Sequence, residues 1–105
     1  MKLIVTIVDD QDVEKIMSTL TEQRIGVTRV SSTGGLLTPG NSTLLIGLDD
    51  ERVSQAMKII QEQGAVHSAV VPYAHAGGIP LTSFIEVELG GYISFVLNVN
   101  HFEQV

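Results

Sequence analysis

The residues most able to do chemistry here are three histidines, a few paired carboxylates and a set of small polar groups among glycines. His67, His75 and His101 are far apart, with neither HxxxH nor HxH spacing, so a metal site would need three distant segments to converge. There is no cysteine, which removes thiolate ligands, disulfides and a cysteine nucleophile. Glu86 and Glu88 share one strand face, because strand side chains alternate, and such a pair could do acid–base work. A solvated strand face is the simpler account of them. Asp9-Asp10 and Asp49-Asp50 could hold a cation, but they recur at equivalent helix starts, where aspartate caps the first turn. No Ser/His/Asp order, P-loop or GxGxxG occurs, and Ser31-Ser32 reads as a strand end. No residue set supports catalysis, so the expectation is a binding protein with no catalytic residues, no metal and no cofactor.

The binding residues cluster differently. Two loops, 34–43 and 72–82, are rich in glycine and proline and exclude regular structure. In the first, Thr33-Gly34-Gly35 can turn several backbone N–H groups toward one anion, and Pro39-Gly40 suits a tight turn. Leu36 and Leu37 follow directly and must pack on a core, a neighbour or a ligand. Position 47 is glycine where the matching position of the first strand is Ile7. A glycine inside an apolar strand marks either a bulge or the close approach of a ligand or backbone. Thr28, Asn41 and Gly47 together offer a hydroxyl, an amide and open backbone, which suits a heterocycle carrying phosphate better than a metal.

These residues are positioned by an internal repeat with an offset of 40 residues. Asp9, Asp10, Val13, Met17, Glu22, Gln23 and Val30 recur as Asp49, Asp50, Val53, Met57, Glu62, Gln63 and Val70 without a gap. Each copy opens with an apolar strand, 3–8 or 44–48, and passes through its aspartate pair into a helix. Val13, Ile16, Met17 and Leu20 form one apolar stripe, and Val53, Ala56, Met57 and Ile60 form the other. Gly26 and Gly64 stand where left-handed C-caps are expected, before strands 27–33 and 66–71. Beyond the repeat, strands 83–89 and 92–99 flank Gly90-Gly91, a hairpin signal. The order predicts an α+β domain: a ferredoxin-like βαββαβ core with both helices on one sheet face and an added C-terminal β-hairpin.

At 105 residues the chain fits a single domain, 1–105, with a limited core that association would help to stabilise. Strand 3–8 is almost continuously apolar, so its second face needs a cover as well. Either the C-terminal strands or neighbouring subunits supply it, and the subunit reading is preferred. Apolar residues make up 44% of the chain and charged ones 17%, which suits a globular protein, and no stretch approaches a membrane span. With a net charge of −6 and six scattered basic residues there is no stripe for a nucleic-acid backbone. The opening Met1-Lys2-Leu3-Ile4-Val5 lacks the marks of a secretory signal, and a cytoplasmic location is expected.

Nearly end to end, the chain resembles the cyclic di-AMP receptors of the PII-like signalling superfamily. The resemblance rests on residues 1–8, Asp10-Gln11-Asp12, Ser32-Thr33-Gly34-Gly35-Leu36-Leu37, Gly40-Asn41-Ser42-Thr43, Glu86-Val87-Glu88-Leu89-Gly90-Gly91 and Phe95-Val96. It implies a homotrimer that binds one cyclic di-AMP at each of three subunit interfaces and signals to an unknown downstream protein. Carried over by position, Thr28 and the backbone near Gly35 meet the phosphates, Asn41 and Gly47 contact adenine, Leu37 and Phe95 line the base pocket, and Gln104 reaches the ligand. Two positions depart from the family pattern: Gly26 stands in place of an arginine and Leu36 in place of an aromatic. Both weaken the expected binding. The alternatives are a PII-like sensor of another adenine nucleotide and a protein-interaction module without a small ligand.

Overall fold

The computed structural model describes residues 1–30, 40–72 and 84–105. The element order is β1 (Lys2–Asp9), α1 (Asp10–Glu22), β2 (Thr28–Val30), β3 (Asn41–Leu48), a single 3₁₀ turn (Asp50–Arg52), α2 (Val53–Gly64), β4 (His67–Pro72), β5 (Phe84–Leu89) and β6 (Tyr92–Asn98). Four strands form an antiparallel sheet in the order β2-β3-β1-β6, and β4 and β5 form a separate two-stranded sheet.

Alternation along the strands decides which side of the sheet becomes the core. Ile4, Thr6 and Val8 of β1, and Ser42, Leu44, Ile46 and Leu48 of β3, point to one side and are buried. Both helices cover that side. The stripe of α1 contributes buried Val13, Ile16 and Leu20, and that of α2 contributes Ala56, Ile59 and Ile60, with Met17, Val53 and Met57 packed around them. The apolar periodicity read from the sequence is therefore the periodicity that fills the core.

The ferredoxin-like core with an extra hairpin is as expected, but the strands are allotted differently. The expected hairpin pairs 83–89 with 92–99; the observed hairpin pairs β4 with β5, and β6 lies beside β1, from Lys2↔Asn98 to Val8↔Tyr92. The reason lies at Gly90 and Gly91, whose φ values are +92° and +90°. Instead of reversing one strand onto the next, they carry the chain past the end of α2. Gly91 N–H donates to the Gly64 carbonyl at 2.7 Å, and a Cβ at Gly90 would stand 2.5 Å from the Ala65 carbonyl oxygen. Glycine is needed there for both conformation and clearance.

The helix ends correct three further expectations. Asp9 caps α1, accepting from Gln11 N–H at 2.9 Å, but Asp49 makes no capping bond. In the second copy Asp50 instead meets the Met1 amino group at 3.0 Å, which holds its carboxyl below the usual carboxylate range. Gly26 is not the left-handed residue after α1; Arg24 is, at φ +59°. Arg24 N–H bonds to the Thr21 carbonyl and Ile25 N–H to the Leu20 carbonyl, each at 2.9 Å. That pair of bonds, with Ile25 buried, is a Schellman closure with arginine where glycine is usual. Gly64 is the last residue of α2, and its bare Cα lets Ile16 and Tyr92 approach, each 3.5 Å from where a Cβ would be.

Candidate functional site

The other side of the sheet is built from the alternate residues. Leu3, Val5 and Ile7 lie between Gly47, Leu45 and Thr43 of β3 and Leu97, Phe95 and Ile93 of β6. Here the chain leaves large apolar groups in solvent: Ile93 is 59% exposed, Phe95 53% and Leu97 48%. Strand β6 joins the sheet edge and does not fold across this face, so the reading in which the C-terminal strands cover it is not what the fold adopts.

A cleft of about 530 Å³ opens at the β2–β3 corner of this face, lined by Met1, Gly26, Val27, Thr28, Leu45, Gly47, Phe102, Glu103 and Gln104. Pairing explains the corner: Thr28 is opposite Leu45 and therefore shares its face with Gly47 two residues on. Arg29, on the opposite face of β2, fixes the strand by donating to the Ser42 hydroxyl at 3.0 and 3.2 Å, while Ser42 donates to Asp10 at 2.5 Å. The wall from the carboxyl terminus is held by Val99 N–H on the Met1 carbonyl at 3.1 Å and by Lys2 on Asn98. Gly47 keeps the regular register opposite Leu3, so it is not a bulge. A Cβ there would meet only the Met1 methyl, at 3.6 Å, and the missing side chain is space inside the cleft.

Of the residues expected to bind ligand, Thr28, Gly47 and Gln104 come together in this cleft. Asn41 lies on the same sheet face but at the far end of β3, opposite Asp9, about 20 Å along the strand at 3.3 Å per residue. Phe95 shares a row with Val5 and Leu45, two strands away from the cleft wall. Gly35, Leu36 and Leu37, with His75, lie outside the described residues. The sequence reading missed Phe102, an aromatic lining the cleft two residues before Gln104, because the tail carries no periodicity to aim it. Its one available signal was that proximity.

A second space of about 270 Å³ continues from the first, sharing Met1, Gly26 and Gly47 and adding Arg24, Ile25, Leu48, Asp49 and Arg52. Arg52 is already engaged: it donates to the Gln23 and Arg24 carbonyls at 2.6 and 3.1 Å and closes the end of α1. The polar rims and apolar floor, Val27 and Leu45, suit a ligand with both a heterocycle and charge, and the size falls in the range of about 300–1,000 Å³ typical of small-molecule clefts.

Asp12 is 7% exposed, its Oδ2 has no partner among the described residues, and burial pushes its carboxyl above the usual range, partly countered by His67. Glu88 is exposed on β5, and His101 sits 3.7 Å from Glu103. Among the described residues no three His, Asp or Glu side chains converge as metal ligands, and no helix is long and apolar enough to cross a membrane.

A ferredoxin-like sheet with one face packed and the other carrying an open cleft defines a small α+β ligand-binding domain. The comparisons with known proteins make the class specific. The chain belongs to the cyclic-di-AMP receptor family, whose family model matches residues 1–105, the whole sequence. Among solved structures it is similar to a functionally unknown protein from Pediococcus pentosaceus, 31% identical, with a TM-score of 0.79 over 99% of this chain and 96% of the other.

Proposed function

We propose that the protein is a non-enzymatic PII-like signalling protein that binds cyclic di-AMP at the subunit interfaces of a homotrimer. The observation that carries this reading is the convergence of Thr28, Gly47 and Gln104 in one cleft at the margin of an uncovered apolar sheet face. A cleft with that placement is half a site: a neighbouring subunit seated on the face covers Ile93, Phe95 and Leu97 and closes the open side of the cleft together. Thr28 and the backbone near Gly35 hold the phosphates, Gly47 admits the adenine edge, and Leu36, Leu37 and Phe95 supply apolar surface. Asn41, about 20 Å from Gly47 within one chain, serves a site completed by an adjacent copy. Phe102 adds a stacking surface from the tail, a contact worth about 1–3 kcal/mol where a base lies on it. Family membership supports the ligand, and the cytoplasmic location and a downstream protein partner belong to the same reading.

A calorimetric screen of cyclic di-AMP, cyclic di-GMP, ATP and ADP against the purified chain tests it. Saturable binding confined to cyclic di-AMP is expected. Preference for ATP or ADP would make the protein a sensor of another adenine nucleotide.

A further inference from the structure

Arginine 24 occupies a position that its own backbone argues against. The residue closing a Schellman motif is left-handed, a conformation that is strained for a residue bearing a Cβ and is usually given to glycine. Here Arg24 takes it at φ +59°, while the glycine two residues later, Gly26, does not have a positive φ. Strain of this kind persists where the side chain has a use.

The surroundings indicate what that use is. Arg24 lines the smaller space, which runs into the Thr28–Gly47 cleft, and the site where a Gly26 side chain would stand has nothing within 4 Å. No hydrogen bond or ion pair from its guanidinium to another described residue is present, whereas Arg29 pairs with Asp10 and Glu14, Lys58 with Glu62, and Arg52 with backbone carbonyls. Asp49 and Glu103 place two carboxylates along the same continuous space. An anionic ligand entering there needs a cation that is not already committed. We infer that Arg24 is a phosphate-binding and specificity-determining residue of this cleft, reaching a phosphodiester across the opening that Gly26 leaves. A bidentate guanidinium suits that group, and lysine, a point charge, replaces it incompletely.

This inference rests on the proposed cyclic di-AMP reading, and the experiment separates the two. Calorimetry with cyclic di-AMP compares the unsubstituted chain with R24G, R24Q and R24K, each also followed by thermal unfolding. R24G removes both the charge and the left-handed penalty, so its melting temperature should stay level or rise by a few degrees while its affinity falls about tenfold or more. R24Q should lose affinity similarly, R24K should lose less, and the unsubstituted chain should be the most sensitive to added salt. R24Q, which keeps a Cβ and a similar length, carries the test if R24G is poorly folded. Affinities of R24G and R24Q within twofold of the unsubstituted chain would overturn the inference alone. No binding of cyclic di-AMP by the unsubstituted chain would overturn the functional reading and the inference with it.

Discussion

The two faces of the β2-β3-β1-β6 sheet are made of nearly equally apolar residues and have opposite fates. On one face Ile4, Val8, Leu44, Ile46 and Leu48 vanish beneath two helices; on the other Ile93, Phe95 and Leu97 are about half exposed. A sheet with one solvated face normally alternates apolar with polar residues, and this one does not. The exposed side is therefore apolar by specification, and its cleft sits where such a surface would be completed by another molecule. The same chain builds a finished interior on one side and an unfinished one on the other.

The largest effect of substitution belongs to the finished side. Ile46→Ala removes a fully buried side chain and should cost about 2–5 kcal/mol, read as a lower urea midpoint. Leu45→Ala, one residue away but facing the opposite side, should cost the isolated chain much less. Equal losses would break the distinction between the faces. Next comes Ile93→Lys, which puts a charge on the apolar face without touching the helices. Light scattering at micromolar concentration should show the mass fall from three chains to one while the far-ultraviolet dichroism stays native, and an unchanged trimer would place the interface elsewhere.

A smaller, local effect is expected at Gly47. Valine there meets no backbone and only the Met1 methyl, so thermal stability should be retained while cyclic di-AMP affinity falls about tenfold, the loss of roughly 1.4 kcal/mol. Retained affinity would move the ligand out of the cleft. The smallest effect belongs to Asp12, on the packed side. Burial raises its folded-state pKa above the ordinary 3.8, so between the two values the unfolded chain binds fewer protons and stability falls as pH rises. Asp12→Asn should remove that slope, stabilising the chain at neutral pH and leaving its stability unchanged near pH 3. A gain of the same size at both would assign the effect to packing.

Much of the finished face was legible in the sequence. The two stripes and the Asp9 cap are local patterns, and each does what its spacing implied; the 40-residue repeat holds through the helices but not at Asp49, which makes no capping bond, nor at β4, which leaves the sheet that β2 joins. Strand partners were not legible, because choosing β6 over β4 as the neighbour of β1 is a long-range choice that no window of residues encodes. Gly90-Gly91 misled for a related reason: the residue types that permit a tight reversal also permit close passage beside α2, and only the Gly64 and Ala65 carbonyls distinguish the two. Reading left-handed caps from glycine alone likewise hid Arg24. At the cleft, residue types led to Thr28 and Gly47 and the family resemblance to Gln104, while Phe102 arrives through the path of a tail that periodicity cannot trace.

On the proposed function, the unfinished face and its cleft are completed together by other copies of this chain around cyclic di-AMP. Native mass spectrometry of the purified protein with the ligand tests assembly and binding in one spectrum. The expected species is a trimer carrying up to three cyclic di-AMP molecules, with ligand-bound monomer absent. A monomer that binds cyclic di-AMP fully, or a trimer that stays ligand-free at saturating concentration, would contradict it.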